Sequence, residues 1–166
     1  MPELPTVEEA LKVRDFDMAA WIGLFGPAGL PKEIVDRAID YIRKCMHTDG
    51  GIQYSLKTAG GSRPPISAAA IACLFSSGEY ENETAKRLLK YCEGSVEGNS
   101  GSSQSGNHWH YTHYYYSQVQ YRLGEEKWSK YFSNISRQIL SQQTANGSWK
   151  EGIVGPVYVT SINSTI

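Results

Sequence analysis

The sequence predicts an all-α fold built of helical hairpins stacked side by side. Three observations carry that expectation. An apolar set spaced i, i+3, i+7 recurs with a period of about 47 residues: Ala38, Tyr41 and Cys45, then Ala85, Leu88 and Cys92, then Phe132, Ile135 and Ile139. That spacing marks one face of a helix, and self-similarity at such a period is the signature of a repeat architecture. Each set is followed by a Gly-containing turn, Asp49-Gly50-Gly51, Glu97-Gly98-Asn99 and Asn146-Gly147-Ser148. Glycine supplies the backbone freedom that a helix end or a tight turn requires. Two stretches beyond these turns, Ser67 to Phe75 and Tyr114 to Tyr121, carry no charged residue, which marks them as helices buried on most sides.

Taken in chain order, residues 18–25, "MAAWIGLF", read as an inner helix ending at Gly26-Pro27. Asp15 and Asp17 before it read as N-terminal caps. Pro31 suits the first turn of an outer helix over 32–46. Asp36, Arg37, Asp40, Arg43 and Lys44 lie opposite its apolar set and leave that helix half in water. The inner helix 67–75 follows, then an outer helix over 81–93 with Lys86, Arg87 and Lys90 on its wet side. Gly98 to Asn107, "GNSGSSQSGN", has no apolar residue and reads as a mobile insertion. The inner helix 114–121 ends at Gly124, as the earlier one ends at Gly78. Tyr158 to Ile166 stands where another inner helix begins, and the chain stops within it, so the expectation is a domain truncated at its C-terminus.

The totals exclude several function classes. Lys plus Arg (16) nearly equals Asp plus Glu (17), for a net charge of -1, so the electrostatic footprint of nucleic-acid binding is missing. No apolar run approaches the roughly 20 residues needed to span a bilayer. The N-terminus has no signal-peptide pattern, so the expectation is a soluble protein of unassigned compartment. Cys45, Cys73 and Cys92 are odd in number and widely spaced. They fit neither a disulfide framework nor a metal knuckle and read as buried thiols.

The third turn, Gln143-Thr144-Ala145-Asn146-Gly147-Ser148-Trp149, has the form Q-x-x-x-G-x-W. It resembles the QW motif of the squalene-cyclase and oxidosqualene-cyclase family, whose α/α toroid is shared with the protein prenyltransferases. "HTDGGIQY" is a weaker copy in which Ile52 replaces the Trp. Residues 31–166 resemble bacterial prenyltransferase and squalene-oxidase repeat proteins through "VDRAIDYIRKCMHTDGGIQYSL", "HYYYSQVQYRLGEEKWSKYF" and "NGSWKEGIVGPVYVTS". The resemblance implies a partial α/α toroid, a half-barrel, since a ring of six hairpins at this period needs roughly 280 residues. It implies a structural role for Gln143, Gly147 and Trp149. The Gln bonds free backbone groups between helices and the Trp staples adjacent repeats. Residues 2–37 instead resemble a segment of the receptors of tripartite tricarboxylate transport, through "LPTV" and "WIGLFGPAGLPKEIVDR". The division expected is therefore an N-terminal segment, 1–30, of separate origin, and toroid repeats over 31–166.

Neither resemblance comes with an active site. The D-x-D-D acid of the cyclases is approached only by Asp15-Phe16-Asp17, which Met18 breaks. The D-D-x-x-D and D-x-C motifs of the related enzymes are absent. The remaining concentration of chemistry is His108 to Tyr116, "HWHYTHYYY". His108, His110 and His113 would supply three zinc ligands if the chain turned between His110 and His113 at a helix starting near Thr112, but no carboxylate lies nearby to orient them. A general base among them lacks a partner. The favoured reading is an aromatic mouth in which Trp109, Tyr111, His113, Tyr114 and Tyr115 offer an apolar surface with polar tips. The function expected is a non-catalytic repeat module, without cofactor, that binds an apolar ligand or a protein partner and self-associates through its open ends. The alternatives are a terpene-cyclase or prenyltransferase-like enzyme whose catalytic residues lie outside this chain, and a fragment of a tricarboxylate receptor.

Overall fold

The computed structural model describes residues 31–57, 60–97, 108–150 and 155–166. The expected inner helix at 18–25, the Asp15 and Asp17 caps and the insertion 98–107 lie outside the described residues. Six α-helices follow in order: α1 Lys32–Lys44, α2 Pro64–Ser76, α3 Glu83–Cys92, α4 Trp109–Arg122, α5 Glu125–Ser141 and α6 Pro156–Thr165. A π-helical turn, Glu93–Glu97, continues α3. Among the described residues there is no strand, only an isolated bridge between Met46 and Ile52. The fold is all-α.

Local chemistry sets the helix ends. Asn82 caps α3, its Oδ1 accepting the Ala85 N–H at 2.8 Å. Pro64 and Pro156 occupy the first turns of α2 and α6, where a missing N–H costs nothing. The helices form two rows. α2 packs on α4, and α4 on α6; α3 covers α2, and α5 covers α4. The α2 sequence explains its central place. Its buried residues include Ala68, Ala70, Ala72, Ile71, Leu74 and Phe75, so small side chains let the α4 backbone approach while the larger ones fill the gaps on either side.

Two of the three recurring apolar sets are displaced from the sequence expectation. In α3, Ala85, Leu88 and Cys92 are all buried. In α1, Ala38 and Tyr41 are exposed, and the inward stripe is Val35, Ile39, Ile42 and Cys45. In α5, Phe132 is exposed, and Trp128, Tyr131, Ile135 and Ile139 face inward. The cause is the 3.6-residue turn. Steps of three and four both stay on one face, so each helix carries two overlapping stripes, and the bulkier one is buried. Cys73 also departs from expectation: it is exposed, whereas Cys45 and Cys92 are buried.

The repeat is visible in the turns. Gly50 N donates to His47 O at 3.0 Å, and His47 N to Gly51 O at 2.8 Å. At the positions 97 residues later, Gly147 N donates to Thr144 O at 2.8 Å, and Thr144 N to Ser148 O at 2.9 Å. Asp49 Oδ1 accepts the Gly51 N–H, and Asn146 Oδ1 accepts the Ser148 N–H. The residue ending each turn donates its N–H to a hydroxyl on the next helix: Ile52 to Ser67 on α2, and Trp149 to Thr160 on α6. Gly50 and Gly147 both have φ above +80°.

The two glycines differ in their surroundings. A Cβ on Gly50 would stand 2.7 Å from the Arg87 carbonyl oxygen of α3, whereas one on Gly147 would meet nothing nearer than 3.9 Å. Gly147→Ala is therefore expected to cost about 1 kcal/mol, the left-handed backbone penalty alone. Gly50→Ala adds a backbone clash and is expected to cost about 2–3 kcal/mol. Urea unfolding of the two variants checks the order; equal costs would contradict the close contact with α3.

Candidate functional site

The stretch His108 to Tyr116 forms the start of α4. The helix begins at Trp109, after His108 in the left-handed conformation (φ 72°). The chain therefore makes no turn between His110 and His113, and the expected start near Thr112 is corrected. The helical rotation sends the candidate residues to three different neighbours.

Tyr111, Tyr114 and Tyr115 share the open side of α4. Tyr115 meets the other two edge-on, with ring centroids 4.8 Å from Tyr111 and 5.1 Å from Tyr114. Cys73 on α2 is close enough for a thiolate there to push both the Tyr111 and Tyr115 phenols upward, although burial is the larger cause in each. The three rings form a half-buried aromatic cluster on α4.

His110 faces α6. Its Nδ1–H donates to Asn163 Oδ1 at 2.7 Å, and both side chains are buried. His113 faces α5 rather than the tyrosines with which the sequence groups it, and Trp109 packs beside it on α4. The Trp109 ring lies 4.3 Å from the His113 ring. Tyr131 on α5 holds His113 Nδ1 at 2.9 Å. Burial, and then the charge on His110, lowers the His113 imidazole to about 4, while burial raises the Tyr131 phenol. With the imidazole neutral and the phenol protonated, a single hydrogen joins the two groups, and the His113 tautomer sets which one donates it.

The same side of α4 carries Tyr116 and Gln120. Both donate to Glu97 Oε1 at the end of the π-turn, at 2.5 Å and 3.0 Å. Burial first, and the Glu97 carboxylate second, raise the Tyr116 phenol. A cavity of about 270 Å³ opens between this network and α5. Sequence reading missed Glu97, Tyr116, Gln120, Tyr131 and Asn163. A signal was present for two of them: His113, Tyr116 and Gln120 are polar residues at i, i+3 and i+7 in a stretch without charge, a pattern that demands buried partners.

The three histidines do not converge. His110 and His113 are engaged by opposite neighbours, and among the described residues no group of three or more His, Cys, Asp or Glu side chains could hold a metal ion. The QW-type residues do come together. Trp149 is buried, and its indole N–H donates to Ile139 O in the last turn of α5 at 2.7 Å, beside the Gln142 N–H that the same carbonyl accepts at 3.1 Å. Gln143, which is exposed, donates to Gly147 O at 2.8 Å within the turn. No helix among the described residues is long and apolar enough to cross a membrane.

No family model matches the chain, and no solved structure matches it. The chain is similar to a curated protein of Pseudomonas sp. (strain P51), described as the UPF0065 protein in the tcbD-tcbE intergenic region. The two are 35% identical over 93 residues, covering 54% of this chain. The match takes in 25% of the relative, so the chain spans about a quarter of that protein's length.

Proposed function

We propose that this chain is a non-catalytic α/α-toroid repeat module of the prenyltransferase and squalene-cyclase type. Its α2 and α4 helices hold an apolar ligand, or an apolar segment of a protein partner, against their open aromatic side. The observation that carries the reading is the duplicated turn, which repeats hydrogen bond for hydrogen bond at 47–52 and 144–149 and docks each time on a hydroxyl of the next helix. A hairpin repeated in this way cannot bury its apolar face alone and stacks on its neighbours. The stacking supports the toroid arrangement, with α2, α4 and α6 as the inner row and α3 and α5 as the outer. On this reading residues 31–166 are the repeat region and 1–30 a separate segment.

Tyr111, Tyr114 and Tyr115 offer ring faces with polar tips, which suits an isoprenoid-like chain. Farnesol titrated into the protein is the direct test. Saturable binding is expected, weakened about tenfold or more in the Tyr111→Ser/Tyr115→Ser variant, since each ring removes a large buried apolar area. Binding that ignores both substitutions would sink the assignment to this face.

A second reading has its own support in the similarity to the UPF0065 protein, together with the resemblance of residues 2–37 to tripartite tricarboxylate receptors. On that reading part of the chain shares its origin with such a receptor. Citrate binding is its test, and the toroid reading expects none.

A further inference from the structure

The cavity bounded by the π-turn, α4 and α5 is separate from the aromatic side, and its chemistry is different. Its volume is about 270 Å³, at or just below the small end of the roughly 300–1,000 Å³ typical of ligand pockets. The inner wall is preorganised. Gln120 is 1% exposed and is tied to Glu97, and Tyr131 is held on His113. Rotamers fixed in this way pay little ordering cost when a ligand arrives. The outer wall is a stripe of α5: Lys127, Lys130, Asn134 and Gln138 line the space with Tyr131.

The charges on this wall balance. Lys127 pairs with Glu93 at 3.1 Å. Lys130 has no ion pair among the described residues and faces the same cavity as Glu97. With one carboxylate set against one ammonium, the cavity favours neither an anion nor a cation. What remains is hydrogen-bonding capacity. The Asn134 and Gln138 side chains make no hydrogen bond among the described residues, and each amide both donates and accepts. Hydroxyl groups have the same dual character, and several on one small ring would meet this wall from all sides. The π-turn adds a backbone signal. Such turns are rare and concentrate at functional sites, and this one brings Glu97 within reach of Tyr116 and Gln120.

We propose that the cavity between the π-turn Glu93–Glu97, α4 and α5 is a binding site for a small neutral polyol the size of a single sugar ring. Lys130, Asn134 and Gln138 meet its hydroxyls from α5, Glu97 and Gln120 meet them from the opposite wall, and the Tyr131 ring supplies an apolar patch.

The test is titration of myo-inositol and of D-glucose into the full chain, followed through the side-chain amide resonances of Gln120, Asn134 and Gln138. Saturable shifts are expected for at least one polyol, with Kd on the order of 1 mM or tighter. Asn134→Leu and Gln138→Leu are each expected to weaken binding about tenfold. Asn134 is exposed and Gln138 half-exposed, so neither variant should disturb folding, which an unchanged unfolding midpoint verifies. Absence of saturable shifts with both polyols overturns the proposal, as does binding that survives both substitutions. Inorganic phosphate competing more tightly than either polyol would overturn the neutral-ligand assignment. Farnesol binding at the tyrosine side is expected to be unaffected by both leucine variants, which separates failure here from failure of the repeat-module reading.

Discussion

Trp149→Ala is expected to lower folding stability by about 3–5 kcal/mol, the range for deleting a buried tryptophan. Three effects combine at this residue. The side chain is 7% exposed and belongs to the continuous core. Its indole N–H is a second, shorter donor to the Ile139 carbonyl at the end of α5, which also accepts the Gln142 N–H at 3.1 Å. Its backbone N–H reaches Thr160, so its placement fixes α6 relative to α5. Trp149→Phe separates these effects: it keeps much of the apolar area and removes only the indole hydrogen bond, leaving Ile139 O to the Gln142 N–H, at an expected cost of about 1 kcal/mol. Gln143→Ala is the contrasting case. Its bond to Gly147 O is exposed, and its loss is expected to cost about 0.5 kcal/mol, since water replaces it. Urea unfolding followed by circular dichroism at 222 nm ranks the three. A Trp149→Ala cost no greater than that of Gln143→Ala would refute the stapling role.

That asymmetry bears on how much of the molecule was legible in the sequence. The period, the Gly turns and the charge-free stretches located helices α1 to α6, because each reflects a local requirement that any packing must meet. Which stripe of a helix turns inward was legible only in α3. There Ala85, Leu88 and Cys92 face wet-side residues Lys86, Arg87 and Lys90, so charge excludes the competing stripe. In α1 and α5 two apolar stripes overlap, and the outcome depends on neighbours distant in sequence.

The candidate site was harder to read for the same reason. "HWHYTHYYY" showed that aromatic and histidine chemistry is concentrated at one place. A helix starting at Trp109 rather than at Thr112 rotates the set, and sends His110 to α6, His113 to α5 and the tyrosines to the open side. Five residues on one helix segment thus serve three different contacts. Glu97 was invisible as a partner because a π-turn has no sequence signature comparable to a cap or a glycine turn.

His113 yields a pH dependence with a definite sign. Its imidazole is lowered from 6.5 to about 4 in the folded protein, by burial first and by His110 second. The unfolded chain therefore binds one more proton than the folded one between those two values. Stability rises with pH wherever the unfolded state holds more protons, so this contribution is fully present above about pH 6.5 and is lost as the pH falls toward 4. The difference corresponds to about 3 kcal/mol, at 1.36 kcal/mol per unit of pKa. Asp49 acts in a separate window. Its carboxyl lies below the usual 3.8, held there chiefly by the Ser62 hydroxyl and the Gly51 N–H, so its contribution is lost only at more acid pH. His113→Gln isolates the imidazole: an amide can still hydrogen-bond the Tyr131 hydroxyl in either direction but does not titrate. The variant is expected to lose most of the stability slope between pH 6.5 and 4. Direct NMR titration completes the test, because the His113 ring should remain neutral at pH 5, where an ordinary histidine is almost fully charged. A His113 midpoint near 6.5 would mean that the ring is hydrated, and that the Tyr131 bond does not close this side of α4 to water.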